Sequence, residues 1–287
     1  MLSPTSYIRH YYGKATDVVQ DFTDANLTTH ASSIAFFFFM ALIPMMIIVA
    51  YIVSLRGFTE DELFLLIGTL VPDNLTDFVE TMVREAYGNA GLAVTVSSAA
   101  LFWTAAQGIS ALTRGLNAVY GVEENRNAVQ VVIVSLIAVL FLIVLMVAAM
   151  FLVFSGLAAR FITAFLPEIP LPSISTTIIR SLILLVSGMF SFAAGYTFLP
   201  AGSRKYREQL PGAMLAACAW FVFSFAFRIY VDHSTKFTLF YGSLGTVTIF
   251  LFWMYCIFSI LLMGGFFNRC RSVWLEQRAA EKEAGEE

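Results

Sequence analysis

Long apolar runs alternate with short polar segments along almost the whole chain. A helix needs about 20 mainly apolar residues to cross the ~30 Å hydrocarbon core of a bilayer. Six runs reach this length, and none of them contains Asp or Glu. They lie at approximately residues 32–55, 91–112, 129–157, 174–199, 211–230 and 245–267. The third run lacks the apolar–polar alternation of a transmembrane β-barrel. The pattern predicts an all-α, polytopic membrane protein with six transmembrane helices, in a membrane domain over residues 32–270.

Two of the polar segments carry apolar residues at helical spacing. Within residues 1–31, Ile8, Tyr11 and Val18 belong to a stripe that repeats every three or four positions. It predicts an N-terminal amphipathic helix, which either lies in the membrane interface or packs on the ends of the spans. Residues 58–90, between spans 1 and 2, predict two amphipathic outer helices. They either cap a cavity or simply pack at the interface.

The positions of Lys and Arg predict the orientation of the spans. Eleven of the 17 Lys and Arg residues fall in the N-terminal segment, the 2–3 loop, the 4–5 loop and the C-terminal segment. Cytoplasmic segments of membrane proteins are enriched in these residues. We therefore expect an inner-membrane protein with cytoplasmic N- and C-termini and a charged cytoplasmic tail over residues 271–287.

Composition narrows the classes of function. The chain is 59% hydrophobic and 13% charged, with a net charge of -3, and its mean hydropathy is +0.78. This balance offers no basic surface for nucleic acid and does not resemble a disordered chain. The three cysteines make no disulfide framework. No HxxxH, CxxC or phosphate-binding GxxxxGK[ST] motif occurs, so we expect no metal, no cofactor and no catalytic constellation.

A few residues inside the apolar runs stand out. Pro44 lies in the middle of the first run and predicts a kink. Small residues four apart, such as Gly212 and Ala216, predict a close helix–helix contact. Arg180 and Arg228 lie near span ends, where they either serve function or anchor the helices in the interface.

Four segments in order resemble the YihY/BrkB family of bacterial inner-membrane proteins. They are DANLTTHASSIAFFFFMALIP (24–44), ALTRGLNAVYGVEENR (111–126), YTFLPAGSRKYREQLPGA (196–213) and FYGSLGTVTIFLFWMYCIFSILLMGG (240–265). The resemblance implies a six-helix membrane fold with cytoplasmic termini. The family's biochemical activity is unsettled, and transport of a lipid or small solute has been proposed for it. Some relatives carry a ribonuclease BN label, which these residues do not support. The family often has Gly-Ala-Glu near the end of the last helix, whereas here Gly264 and Gly265 precede two Phe and Asn268.

Polar residues in the second and fourth segments are the remaining site candidates. Arg114, Asn117 and Arg126 follow the second span, and Arg114 and Asn117 share a helix face. This stretch either binds a phosphate head group or serves as helix cap and cytoplasmic anchor. Tyr241 and Gly242 stand before the last span, where glycine allows a close approach or an unusual turn.

Three classes of function compete. A lipid or solute transporter accounts for the kinked helix, the small-residue faces and the amphipathic outer helices. A structural or assembly membrane protein would form a tightly packed bundle with no cavity. A membrane-bound enzyme would require clustered titratable groups. The expected partners are membrane lipids, and no nucleic acid is expected. Whether the protein forms a homo-oligomer is left open by the sequence.

Overall fold

Long helices make up nearly all of the structure. The computed structural model describes residues 25–54, 84, 90–127, 129–131, 133, 137, 173–233 and 235–286. Within them, every regular element is an α-helix: α1 (Leu27–Ser54), α2 (Ala90–Tyr120), α3 (Ser173–Phe198), α4 (Tyr206–His233) and α5 (Thr235–Glu286). The predicted N-terminal helix and outer helices lie almost wholly outside the described residues and stay predictions.

Four helices of the described part are long and apolar enough to cross a membrane. The segments are Leu27–Met45, Ser181–Phe198, Tyr206–Val231 and Val247–Ala279. They coincide with the first, fourth, fifth and sixth predicted spans. The second span is helical within the 31 residues of α2, but polar side chains dilute its apolar character. The third span lies mostly outside the described residues, so the count of six spans stays a prediction.

Local signals at the helix ends explain where α1 begins and α2 stops. The carbonyl of Asn26 accepts hydrogen bonds from the backbone N–H groups of Thr29 and His30, at 3.0 and 3.2 Å. At the end of α2, Gly121 adopts a positive φ of 63°. Gly121 N–H bonds the carbonyl of Ala118, and Val122 N–H bonds that of Asn117. This pair of bonds is a Schellman motif, which turns the chain sharply out of the helix.

The described residues form two compact units. Unit 1 contains Leu112–Phe223 and Ser259–Glu287, with the start of the chain up to His30. Its tightest contact joins α4 and α5. A Cβ added at Gly264 would lie 2.5 Å from Tyr196 Oη and 2.7 Å from the carbonyl oxygen of Gly212. Ala213, Ala216 and Ala217 are fully buried. The small-residue packing face predicted on α4 is therefore confirmed.

Unit 2 contains Ala31–Ala111 and Ser224–Phe258, and its described contacts include several pairs of aromatic rings. The rings of Phe38 and Phe258 lie 4.9 Å apart, and those of Phe227 and Phe252 lie 6.4 Å apart. Pro44 is buried inside α1, which continues to Ser54. Proline removes one backbone hydrogen bond from the helix at this point.

The last helix is much longer than its predicted span. α5 runs unbroken for 52 residues. It begins ten residues before the predicted start at 245 and continues beyond 267 through almost all of the predicted tail. Gly242 and Gly245 lie within it, so the alternative of an unusual turn at Gly242 is wrong. A glycine costs only about 1 kcal/mol in a helix interior, and no proline lies between Thr235 and Gly245, so the helix continues through both glycines.

Candidate functional site

A cluster of polar side chains in unit 1 lies where α2, the loop after α2 and the loop after α3 meet. We call it the polar cluster, and its members are Asn117, Tyr120, Glu124, Arg126, Gln209 and Asn268. Three of them, Asn117, Gln209 and Asn268, are buried polar residues. Buried polar groups cost free energy unless they are hydrogen-bonded, so their partners decide what the cluster does.

Asn117 connects the two loops through its side-chain amide. Its Oδ1 accepts a hydrogen bond of 2.7 Å from the backbone N–H of Ala201. Its Nδ2 donates to Glu124 Oε2 at 2.8 Å. The buried amide of Asn117 thus holds the loop after α2 through Glu124 and the loop after α3 through Ala201.

Arg126 continues this connection. Its Nε donates to Glu124 Oε1 and its Nη2 to Glu124 Oε2, both at 2.7 Å. The same Nη2 donates to the carbonyl oxygen of Leu199 at 2.9 Å. Hydrogen bonds from Arg126, with a further one from Asn117, lower the pKa of Glu124 to about 2. Glu124 is therefore ionised at neutral pH, and the charge of Arg126 is already balanced.

A third connection reaches the end of α2 from α5. Arg269 Nη1 donates to the carbonyl oxygen of Val119 at 3.1 Å. A cation at a helix C-terminus interacts favourably with the helix dipole. A Cβ at Gly121 would lie 3.2 Å from the Arg269 guanidinium. Glycine is favoured at position 121 by its positive φ, and the Arg269 guanidinium lies close to it.

The remaining members join α2, α4 and α5. Tyr120 Oη donates to Gln209 Oε1 at 2.6 Å. Asn268 Nδ2 donates to the Gln209 carbonyl at 2.9 Å, and its Oδ1 accepts from Gly212 N–H at 2.8 Å. Arg204 stacks over the Tyr120 ring at 4.2 Å. Burial raises the pKa of Tyr120 to about 12, so its hydroxyl stays protonated.

An open depression of about 270 Å³ lies beside the cluster. It is lined by Val122, Glu123, Asn125, Arg126, Ala201 and Gly202. Only Arg126 brings a cation to it, and that cation is paired with Glu124. The described residues contain no group of three potential metal ligands. The arrangement holds loops and helices together, and the residues that line the depression present no unpaired cation, which favours capping over phosphate binding for the Asn117–Arg126 stretch.

The predicted site residues occupy different places. Asn117 and Arg126 meet in the polar cluster through Glu124, whereas Arg114 is exposed one turn earlier on α2. Although Arg114 and Asn117 share a helix face, Arg114 is exposed and Asn117 is buried. Arg228 is exposed on α4. Arg180, Tyr241 and Gly242 lie on α3 and α5, but their side chains are outside the described residues, and their roles stay predictions.

Sequence reasoning missed most of the cluster. Three members, Glu124, Tyr120 and Gln209, were not singled out, nor was the neighbouring Arg269, and Asn268 was noted only as a departure from the family pattern. A usable signal existed, because Gln209 and Asn268 are amides beside the small residues that bring α4 and α5 together. Amides at such positions commonly hydrogen-bond across helices.

Comparison with known proteins decides the family. The family model described as Virulence factor BrkB matches residues 18–287. The chain belongs to the BrkB family. The resemblance predicted from four sequence segments is thereby confirmed, and this BrkB-family chain is a membrane protein.

Three relatives show how far the BrkB-family similarity extends. The ribonuclease-like protein YfkH of Bacillus subtilis is 25% identical over 240 residues, or 83% of this chain and 87% of YfkH. A UPF0761 membrane protein of Chromobacterium violaceum is 23% identical over 270 residues, or 92% of this chain and 63% of the relative. A UPF0761 membrane protein of Vibrio atlanticus is 26% identical over 248 residues, or 84% of this chain and 77% of the relative. No solved structure matches the chain.

Proposed function

We propose that this BrkB-family protein is a multi-pass inner-membrane transporter that moves a lipid or a small solute, with both termini in the cytoplasm. The observation that carries the proposal is the two-sided character of α2. One stripe of small and polar side chains on this helix is buried, whereas several of its large apolar side chains are exposed.

The inward side of α2 follows helical spacing. Ser97, Thr104 and Gly108 are seven and four residues apart, which places them on one stripe, and all three are buried. About 100° round the helix from this stripe, Val96 and Trp103 are 60% and 61% exposed. A helix in a bilayer that turns its polar side away from lipid is typical of a helix that lines a path for a polar group.

A structural or assembly role is the second candidate, and a specific observation supports it. The hydroxyl of Thr104 donates to the carbonyl of Ala100 in its own helix, at 2.8 Å. A hydroxyl satisfied in this way needs no solute and fits a packed helix interface equally well. The two roles therefore differ in whether anything moves past this side of α2.

Reconstitution into liposomes tests the proposal. Purified protein is assayed for flip of fluorescent phospholipids and for flux of a panel of small solutes. Ser97→Leu places a bulky side chain on the inward stripe, whereas Ser98→Leu makes the same change at an exposed position. We expect Ser97→Leu to slow transport at least tenfold and Ser98→Leu to leave the rate unchanged.

A second variant guards against simple misfolding. Thr104→Val keeps the volume of the side chain and removes its hydroxyl, so it should retain the fold while changing the rate. Transport that is equal in all variants would refute a path along α2. Absence of any movement across the whole panel, from protein that is stable and correctly inserted, would favour the structural role. We also expect purified protein to leave RNA intact.

A further inference from the structure

One side of α5 changes from apolar to cationic towards the end of the helix. Met263, Phe267, Arg271, Trp274 and Arg278 follow one another at spacings of four, four, three and four residues. At 3.6 residues per turn they fall within an arc of about 80°. Met263, Phe267 and Trp274 are 50%, 41% and 47% exposed. We call these five residues the C-terminal stripe.

The cationic part of the stripe is organised around Trp274. The Arg278 guanidinium carbon lies 3.9 Å from the centre of the Trp274 ring. Stacking uses the flat face of a guanidinium and leaves its in-plane N–H groups in the geometry that suits phosphate oxygens. Val273 and Leu275, the neighbours of Trp274, are 45% and 44% exposed. Such a turn, apolar on several sides and containing Trp, is typical of the membrane–water interface.

The length of the helix places this turn near the head groups. The apolar segment Val247–Ala279 has 33 residues, which is about 50 Å of helix. A bilayer with its head groups is roughly 40–45 Å thick, so the last turns of the segment reach the head-group layer. Beyond Arg278 the chain becomes acidic, with Glu281, Glu283, Glu286 and Glu287. The order apolar, cationic, acidic matches hydrocarbon, anionic head groups and water.

We infer that the C-terminal stripe binds an anionic phospholipid, with the phosphate held by Arg271 and Arg278 and the acyl chains against Phe267 and Met263. Among the described side chains, no ion pair engages either guanidinium. A second copy of the chain is the less favourable occupant. A symmetric contact between parallel copies would bring each arginine against its own counterpart. The inference needs only membrane insertion and does not depend on transport.

Native mass spectrometry of the full-length protein in detergent micelles tests this assignment. Phosphatidylglycerol and phosphatidylcholine with identical acyl chains are added in equal amounts, and the ratio of retained lipids is measured. The double variant Arg271→Gln/Arg278→Gln should lower the phosphatidylglycerol preference about 30-fold, which is roughly fivefold per cation. The control Lys205→Gln/Arg207→Gln removes two exposed cations elsewhere and should keep the preference.

A charge-conserving variant and a soluble competitor complete the experiment. Arg271→Lys/Arg278→Lys should keep part of the preference, because charge remains while the bidentate geometry is lost. The inference is overturned if the wild type shows no preference or if the glutamine variant and the control lose it equally. It is also overturned if free glycerol phosphate displaces the lipid, or if a dimer appears that only the glutamine variant loses. Thermal midpoints within ~2 °C of the wild type confirm that the variants are folded.

Discussion

The contact between α4 and α5 in unit 1 leaves no room for a side chain on one of two adjacent glycines. A Cβ at Gly264 would lie 2.5 Å from Tyr196 Oη and 2.7 Å from both Ala216 Cβ and the Gly212 carbonyl oxygen. A Cβ at Gly265 would meet its nearest neighbours at 3.4–3.5 Å, which is ordinary van der Waals contact. The two glycines share one helix, so Gly264→Ala and Gly265→Ala form a matched pair.

The two substitutions should change the free energy of unfolding differently. Each Gly→Ala change in a helix gains roughly 1 kcal/mol of helix propensity. At Gly264 this gain is outweighed, because overpacking costs about 1–3 kcal/mol and two of the three obstructing groups are a backbone carbonyl and a Cβ that cannot rotate away. We expect Gly264→Ala to destabilise the protein and Gly265→Ala to be neutral or slightly stabilising. Because the gain in helix propensity is the same at both positions, the difference between the two should equal the overpacking cost of about 1–3 kcal/mol.

Thermal unfolding of the purified protein in detergent measures this difference. With about 2–4 °C per kcal/mol, the midpoint of Gly264→Ala should lie roughly 2–12 °C below that of Gly265→Ala. Tyr196 provides an internal check. Its hydroxyl donates to the Leu261 carbonyl at 2.6 Å, so Tyr196→Phe alone is destabilising. In the Tyr196→Phe background, however, Gly264→Ala should cost less, because one clash is gone. Equal midpoints for the two alanine variants would refute the close crossing.

Three further predictions concern the polar cluster and the orientation of the chain. Because the pKa of Glu124 is lowered to about 2 from its usual 4.5, its ionised form stabilises the fold above about pH 4.5, and this stability is lost as the pH falls towards 2. The difference in thermal midpoint between wild type and Glu124→Gln should therefore be constant above pH 5 and shrink below pH 4.5; a constant difference down to pH 2 would contradict it. Asn268→Leu leaves two buried backbone groups without their side-chain partner and should cost about 2–4 kcal/mol in unfolding assays, whereas Ser272→Leu at an exposed position should cost less than ~0.5 kcal/mol. Green fluorescent protein fused to either terminus should fluoresce in cells and alkaline phosphatase fused there should be inactive, and the opposite pattern would overturn the proposed orientation.

Much of the candidate site escaped sequence reasoning for a specific reason. Asn117 and Arg126 were found because they follow an apolar run and stand close together in sequence. Glu124 lies between them, yet nothing in the local pattern distinguishes it from its exposed neighbour Glu123. Its role becomes visible only when Asn117 and Arg126 both donate to its carboxylate. The pattern also could not tell that Arg114 is exposed while Asn117 is buried.

The sequence alone determined the apolar helices, their approximate positions, the α4 packing face and the family. These are local properties, because the length and composition of a run decide whether it crosses a bilayer, and spacing along one helix decides which small residues share a face. Only the tertiary structure decided that Asn117 binds the backbone of Ala201, 84 residues away, and that Asn268 binds Gly212, 56 residues away. Such contacts depend on how helices distant in sequence approach each other, and no periodicity within one helix encodes that approach.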